Sequence, residues 1–204
     1  WQEGLFESSD KRYYRLIRKD AMINQLLSED ALAARNSDND FERFQEIFNQ
    51  FSNDSLINKM MHFDVKTLLP ALLQVEDRAS MGASLESRVP LLDHRIIEFA
   101  CSIPSHIKFK GGETKHILKR AARHVVPKRI LSRQDKMGFP VPLSEWYRGP
   151  LHDYVKDTLL DSTTRNRGLF NVKRIENYLD NEVKYGRTIW GLLCLERWFR
   201  IFVD

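Results

Sequence analysis

The chain has 204 residues, 42% hydrophobic and 11% aromatic, with a formal net charge of +4, long enough for one domain or a small two-lobed one that buries roughly 70% of its unfolded surface. Its longest apolar runs, such as 189–195, fall well short of the roughly 20 residues that span a bilayer, and the amino end carries no signal-peptide pattern, so the sequence reads as soluble and not as a membrane protein. The charge is uneven: between Lys108 and Lys136 ten Lys or Arg stand against two acids, a local +8 that points to an anionic ligand, either nucleotide phosphate or nucleic acid, or to a solvated helix face.

The sequence opens on "WQEGLFESSD", which reads as the interior of a longer product. Residues 8–36 begin with a Ser/Asp capping signal and carry Tyr13, Leu16, Ile17, Ile23, Leu26 and Leu27 at near-helical spacing, which predicts one long amphipathic helix. A second follows over 41–51, with Phe41, Phe44, Phe48 and Phe51 as a core stripe, and "SND" breaks it. Residues 55–69 are helical in composition, and Pro70 is expected to begin a new helix over 70–81, because proline suits a first turn and disrupts an interior one.

After Gly82, "SLESRVP" reads as extended, since the residue before a proline is pushed out of the helical region. Asp93 reads as the cap of a helix over 94–102 that ends before Pro104. A loop or short hairpin at 105–113 contains Gly111-Gly112 and leads into a helix over 113–126. Residues 127–146, with three prolines, are expected to be mostly irregular, and the end of the chain supplies two helices divided near Gly186. Trp190, Cys194, Trp198 and Ile201 are expected to form the buried face of the last one, and Cys101 and Cys194 to be reduced core thiols, which favours the cytoplasm. With no strong strand and no internal repeat, the class is mainly α.

Several familiar constellations are missing from the sequence. It has no HxxxH or HExxH spacing for zinc, no GxSxG nucleophile elbow, no GxGxxG turn and no Walker P-loop. What stands out instead is "VEDRASMGASLESRVPLLDHR", residues 75–95, where charges crowd among small and apolar residues. Asp77 and Arg78 are neighbours on a helix and point in different directions, and they read as a bracing ion pair or as pocket residues. Glu86 and Arg88 lie two apart in an extended segment and face the same side, so they either fix the backbone or clamp a bound group. Lys115 is expected in the first turn of a helix after a Gly-Gly loop, where it is either a phosphate contact or a solvated lysine.

The ordered set "DRASMGASLESRVPLLDHRIIEFA", "GGETKHILKRAARHVVPKRI", "RQDKMGFPVPLSEW" and "WGLLCLERW" resembles the carboxyl-terminal part of glutamine-dependent asparagine synthetases over roughly residues 65–200. It is similar to their DRxSM…E-x-RVPxLDHR segment, their G-x-x-K-x-x-L helix and their R-x-K-x-GF loop. The resemblance implies the helical part of an ATP-pyrophosphatase-type α/β synthetase domain, without its parallel-sheet nucleotide half. It further implies residues 1–60 as a variable helical region, 64–148 as the motif-bearing substrate-pocket region and 150–204 as terminal helices.

In that family Mg-ATP adenylates the aspartate side chain, and ammonia from glutamine displaces AMP to give asparagine. Lys115 matches the family lysine that stabilises the leaving pyrophosphate. Asp77, Arg78, Glu86 and Arg88 match pocket positions, with Asp93 and Gly138 as structural residues. ATP and Mg2+ would be held mainly by the amino-terminal half, whose nucleophilic cysteine and SGG-x-DS loop do not occur in this sequence. The fragment alone is therefore expected to be inactive. Its implied partners are small-molecule substrates and its own amino-terminal regions, with a homodimer left open, no membrane and no nucleic acid. Two other readings remain: an amidotransferase acting on another carboxylate, as in a sugar or antibiotic pathway, and a basic helical nucleic-acid-binding or interaction module.

Overall fold

A computed structural model describes the chain apart from residues 1–3, 5, 19, 36, 52–54, 136–140 and 185, and apart from the side chains of 20–22, 37 and 38. Among the described residues there are helices and turns but no strand; only two isolated bridges occur, Leu27 with Phe170 and Lys110 with Glu113. None of these helices is long and apolar enough to cross a membrane. The chain divides into two compact units, one of residues 1–16 and 39–136, the other of 17–38 and 137–204.

In the first unit α1 (Ser9–Ile17) and α4 (Ser37–Phe48) supply an aromatic cluster. The predicted phenylalanine stripe buries Phe44 and Phe48, while Phe51, at its far end, is exposed. The Tyr13 and Phe48 rings stack at 5.4 Å, and Phe63 of α5 (Leu56–Lys66) meets Tyr13 edge-on at 6.1 Å. The Tyr13 hydroxyl donates to Asp64 at 3.1 Å; burial, with that carboxylate beside it, pushes the phenol up to about 12.

The unit continues through α6 (Leu68–Gly82), a 3-10 turn at Pro90–Leu92, α7 (His94–Ser102) and α8 (Ser105–Lys108). It ends with α9 (His116–Ala121), a second 3-10 turn and α10 (Lys128–Leu131). Pro70 falls in the first turn of α6, where its missing N–H costs nothing, although the helix starts two residues earlier than expected. The predicted helix over 113–126 is shorter, because Lys115 is itself left-handed and α9 starts only after it.

The second unit holds α2 (Asp20–Leu26), α3 (Glu29–Ala34), α11 (Leu143–Arg148), α12 (His152–Leu159), α13 (Ser162–Arg167), α14 (Val172–Leu179) and α15 (Thr188–Phe202). The single helix expected over 8–36 is thus three. Ser28 caps α3 by accepting from the Ala31 amide at 3.1 Å, and residues 26–28 pair with 169–171 through Ser28 N to Leu169 O and Asn171 N to Leu26 O. Those backbone groups serve a long-range contact and cannot also serve a continuous helix. Leu26, Val155, Leu159, Ile175, Ile189 and Leu193 lie in the core of this unit.

The buried face of α15 is Ile189, Leu193 and Glu196, not the stripe expected from the sequence: Trp190, Trp198 and Ile201 are each about half or more exposed. Cys194 and Cys101 are exposed too, so neither is a core thiol. Glu196 is fully buried and accepts from Arg200 Nε at 2.8 Å and Arg167 Nε at 3.2 Å. Arg167 also pairs with Asp204, and Arg200 with Asp161. Ahead of α15, Glu182 turns its Oε1 back to the Thr188 and Ile189 amides at 2.7 and 3.2 Å, capping the helix from inside.

Candidate functional site

Apart from Gly138, the residues singled out by sequence lie in the first unit, on four pieces of chain. Asp77 and Arg78 sit on the second half of α6, and the Arg78 side chain curls back to put Nη1 3.0 Å from Asp77 Oδ2. The expectation that neighbours on a helix point apart holds at Cβ, but an arginine is long enough to close the gap. Both are exposed, at 75% and 58% of the side chain, so the pair braces no other element.

Beyond α6 the chain turns through Ser84, at φ 57°, and runs without regular secondary structure to Pro90. Glu86 and Arg88 fall on the same side of that segment and pair at 2.6 Å, again in solvent. Asp93 is the N-cap of α7: its Oδ1 accepts from the Arg95 amide at 2.9 Å, while the carboxylate takes the Arg95 guanidinium on both oxygens. Those hydrogen bonds hold the Asp93 carboxyl below its ordinary range.

Lys115 belongs to a turn built on three left-handed residues. Gly111 and Gly112 have φ of 59° and 80°, which glycine adopts freely, and the Glu113 amide closes the turn onto the Lys110 carbonyl at 3.0 Å. Lys115 has φ 58° and ψ 28° as the N-cap of α9, one residue before the first turn where the sequence put it. A non-glycine residue in this region costs about 1–3 kcal/mol and persists only where its surroundings fix it. Among the described residues no carboxylate pairs with its amine.

Next to it is a cluster the sequence reading passed over. Glu113 Oε2 lies 2.6 Å from His116 Nδ1, and its Oε1 accepts from Lys119 Nζ at 3.1 Å. A carboxylate only accepts here, so Nδ1 carries the proton. The His116 bond, then the Lys119 bond, draw the Glu113 carboxyl below its ordinary range. The signal was available: Glu113 is the one acid between Lys108 and Arg133.

The structure thus brings Asp77 to Arg78, Glu86 to Arg88, and Glu113 to His116 and Lys119. Among the described residues no hydrogen bond or ion pair joins one of these groups to another. Gly138 lies outside the described residues. No three His, Cys, Asp or Glu side chains converge as a metal site among those described. Chemically, the arrangement offers exposed cations and, at Lys115, a left-handed residue whose amine pairs with no carboxylate among the described residues.

The asparagine synthase family model matches residues 3–200. The chain is 32% identical over 160 residues to asparagine synthetase (glutamine-hydrolyzing) 1 of Bacillus subtilis (strain 168), a match covering 77% of this chain and 25% of that protein. A putative asparagine synthetase (glutamine-hydrolyzing) of Mycobacterium bovis is also 32% identical, over 154 residues, or 72% of this chain and 23% of its own. Amidase chry2 of Gibberella zeae is 26% identical over 132 residues, 61% of this chain and 20% of its own. The chain spans about a quarter of the length of these curated relatives. No solved structure matches at a significant level. With the family model running over residues 3–200 and a relative 32% identical over 77% of the chain, the chain belongs to the asparagine synthase family.

Proposed function

We propose that this chain is the helical part of an ATP-dependent, cytoplasmic asparagine synthetase of the ATP-pyrophosphatase type. The aspartate side-chain carboxylate attacks the α-phosphorus of Mg-ATP and pyrophosphate leaves. Ammonia released from glutamine then attacks the acyl carbon, and AMP leaves with the two electrons of the acyl–oxygen bond. Lys115 stabilises the charge that grows on the departing pyrophosphate. Asp77, Arg78, Glu86 and Arg88 wall the pocket of the aspartyl adenylate, while Asp93 shapes the backbone beside it and Gly138 keeps the structural role that the resemblance implies. The region from 64 to 148 is the pocket-bearing part, with 150–204 as terminal helices.

The observation that carries this reading is the Lys115 amine, which pairs with no carboxylate among the described residues and stands on a left-handed residue in a member of the family. A second feature supports the longer assembly. From residue 55 to 135 no described side chain is buried, and Val75, Leu85, Leu91 and Phe99 are each more than 60% exposed. An apolar face of that extent is the kind that protein covers, here the nucleotide-binding half of the same synthetase. The 204-residue chain alone is accordingly inactive in asparagine formation.

The test is aspartate-dependent exchange between ATP and labelled pyrophosphate in the full-length gene product. A charge-assisted hydrogen bond is worth about 1.5–3 kcal/mol, so Lys115→Ala slows exchange roughly 10- to 100-fold while leaving the melting temperature within about 2 °C. Equal losses of exchange and stability would make Lys115 structural. A family relative that is named an amidase and not an asparagine synthetase leaves room for a second reading, amination of another carboxylate on the same domain, and exchange that runs with a different acid but not with aspartate selects it.

A further inference from the structure

Glu113 stands oddly in its surroundings, since a negative charge in the middle of a basic block weakens the field that draws an anion. Its contacts give it another task. The carboxylate sits before Lys115 in the chain and holds two groups that come after it, His116 at 2.6 Å and Lys119 at 3.1 Å. The Lys119 amide in turn donates to the Lys115 carbonyl at 3.0 Å, the first helical bond of α9. Residues on both sides of Lys115 are therefore tied together across it.

For Lys115 to relax from φ 58° to the ordinary helical region, the chain before it must swing relative to α9. That swing pulls the Glu113 carboxylate off both of its partners. On the other side of Glu113, the Gly111-Gly112 turn and the Lys110 bridge fix where its backbone lies. The clamp also occupies the Lys119 charge, which leaves the Lys115 amine, among the described residues, as an unpaired cation at the start of the helix.

We infer that Glu113 is a positioning residue for Lys115: by bridging His116 and Lys119 it holds the Lys115 backbone left-handed and aims the amine at the anionic group transferred or released in the reaction. This rests on the reading of Lys115 as the leaving-group contact. Its chemistry makes the sign of the effect diagnostic. Glu113→Gln keeps the shape and makes the block more positive by one charge, so a bystander acid predicts tighter ATP binding and undiminished turnover. A positioning acid predicts lost turnover in spite of the added positive charge.

The experiment compares E113Q, K115A and the double variant in the full-length protein, by pyrophosphate exchange with varied ATP and by deuterium uptake of the peptide spanning 109–121. The expected result is a fall in kcat of about tenfold for E113Q with no decrease in KM for ATP. Deuterium uptake over 113–119 is faster, the melting temperature is unchanged, and the double variant is no worse than K115A, because two residues acting through one amine are not additive. Wild-type turnover, a lowered KM, or additive losses in E113Q beside a crippled K115A overturn the positioning role alone. A K115A protein with wild-type exchange overturns the leaving-group reading and the positioning role with it. Unchanged deuterium uptake in E113Q overturns the clamp whatever the kinetics.

Discussion

Removing the Glu196 carboxylate should loosen the second unit more than any surface change can. Glu196 has no exposed surface and serves both Arg167 and Arg200. Deleting one member of a buried ion pair costs about 3–5 kcal/mol, because the remaining charge is left without compensation. Here each arginine keeps a second acid: Arg167 holds Asp204 at 2.6 Å, and Arg200 holds Asp161 at 2.9 Å as well as the Thr158 carbonyl at 3.0 Å. The expected cost of Glu196→Ala is therefore at the lower end, about 3 kcal/mol. With a slope of about 2 kcal/mol per molar urea, the unfolding midpoint drops by about 1.5 M. Glu196→Gln keeps one acceptor and turns an amide donor toward guanidinium donors, so it falls between the two. Tryptophan fluorescence is a suitable readout, since Trp146, Trp190 and Trp198 all lie in the second unit. An alanine variant within about 0.5 kcal/mol of the parent would mean that desolvation cancels the attraction, and that Ile189 and Leu193 alone hold α15.

The other expectations concern the turn before α15 and the motif-bearing unit. Burial pushes the Glu182 carboxyl above its ordinary range, so it contributes stability at low pH that is lost as pH rises through its folded value. Glu182→Gln should then gain on the parent as pH rises above the ordinary carboxylate value of about 4.3, measured as the difference in melting temperature; a constant difference refutes it. A Cβ on Gly186 would lie 2.7 Å from Glu182 Cγ and 2.8 Å from its Oε1, so Gly186→Ala should cost about 1–3 kcal/mol in the same urea titration by overpacking. Arg78→Ala and Arg88→Ala remove only solvent-exposed pairs and should shift stability by less than about 0.5 kcal/mol, so a large loss of pyrophosphate exchange in either variant is a loss of function and not of fold.

The elements legible in the sequence were those set by local chemistry. The Phe44 and Phe48 spacing, the proline in the first turn of α6, the aspartate before α7 and the Gly-Gly turn each act within one or two turns of chain. What was not legible depends on distant partners. Ser28 interrupts the first helical stretch because residues 26–28 bond with 169–171, and the Ser-Glu-Asp capping signal at 28–30 was the local trace of it. On α15 apolar residues occupy both faces, so periodicity could not tell Ile189 and Leu193 from Trp190 and Trp198, and burial of a glutamate is decided by arginines 29 and 4 residues away. The charged motifs were visible as a cluster, but their pairing is local and exposed, which nothing in their spacing dictates.

The two units differ in a way that bears on the proposed chemistry. The second has a core and a buried ion network, the usual marks of a unit stabilised by its own contacts. Among the described residues of the first, burial is confined to the aromatic cluster of α1, α4 and α5, and from residue 55 to 135 both apolar and charged side chains meet solvent. Exposed charges alone would describe an ordinary surface, and exposed apolar groups alone a docking face. Interleaved as they are between 72 and 99, they fit a wall with two duties: leucine, valine and phenylalanine to pack against more protein, and Asp77, Arg78, Glu86 and Arg88 to end up at the seam. Docking would remove water from those carboxylates and guanidinium groups and strengthen every interaction they make. On the proposed function, a pocket completed that way would be weak as a binding site in this chain and strong only in the assembly, which is why the exchange assay belongs in the full-length protein and the stability assays in the chain itself.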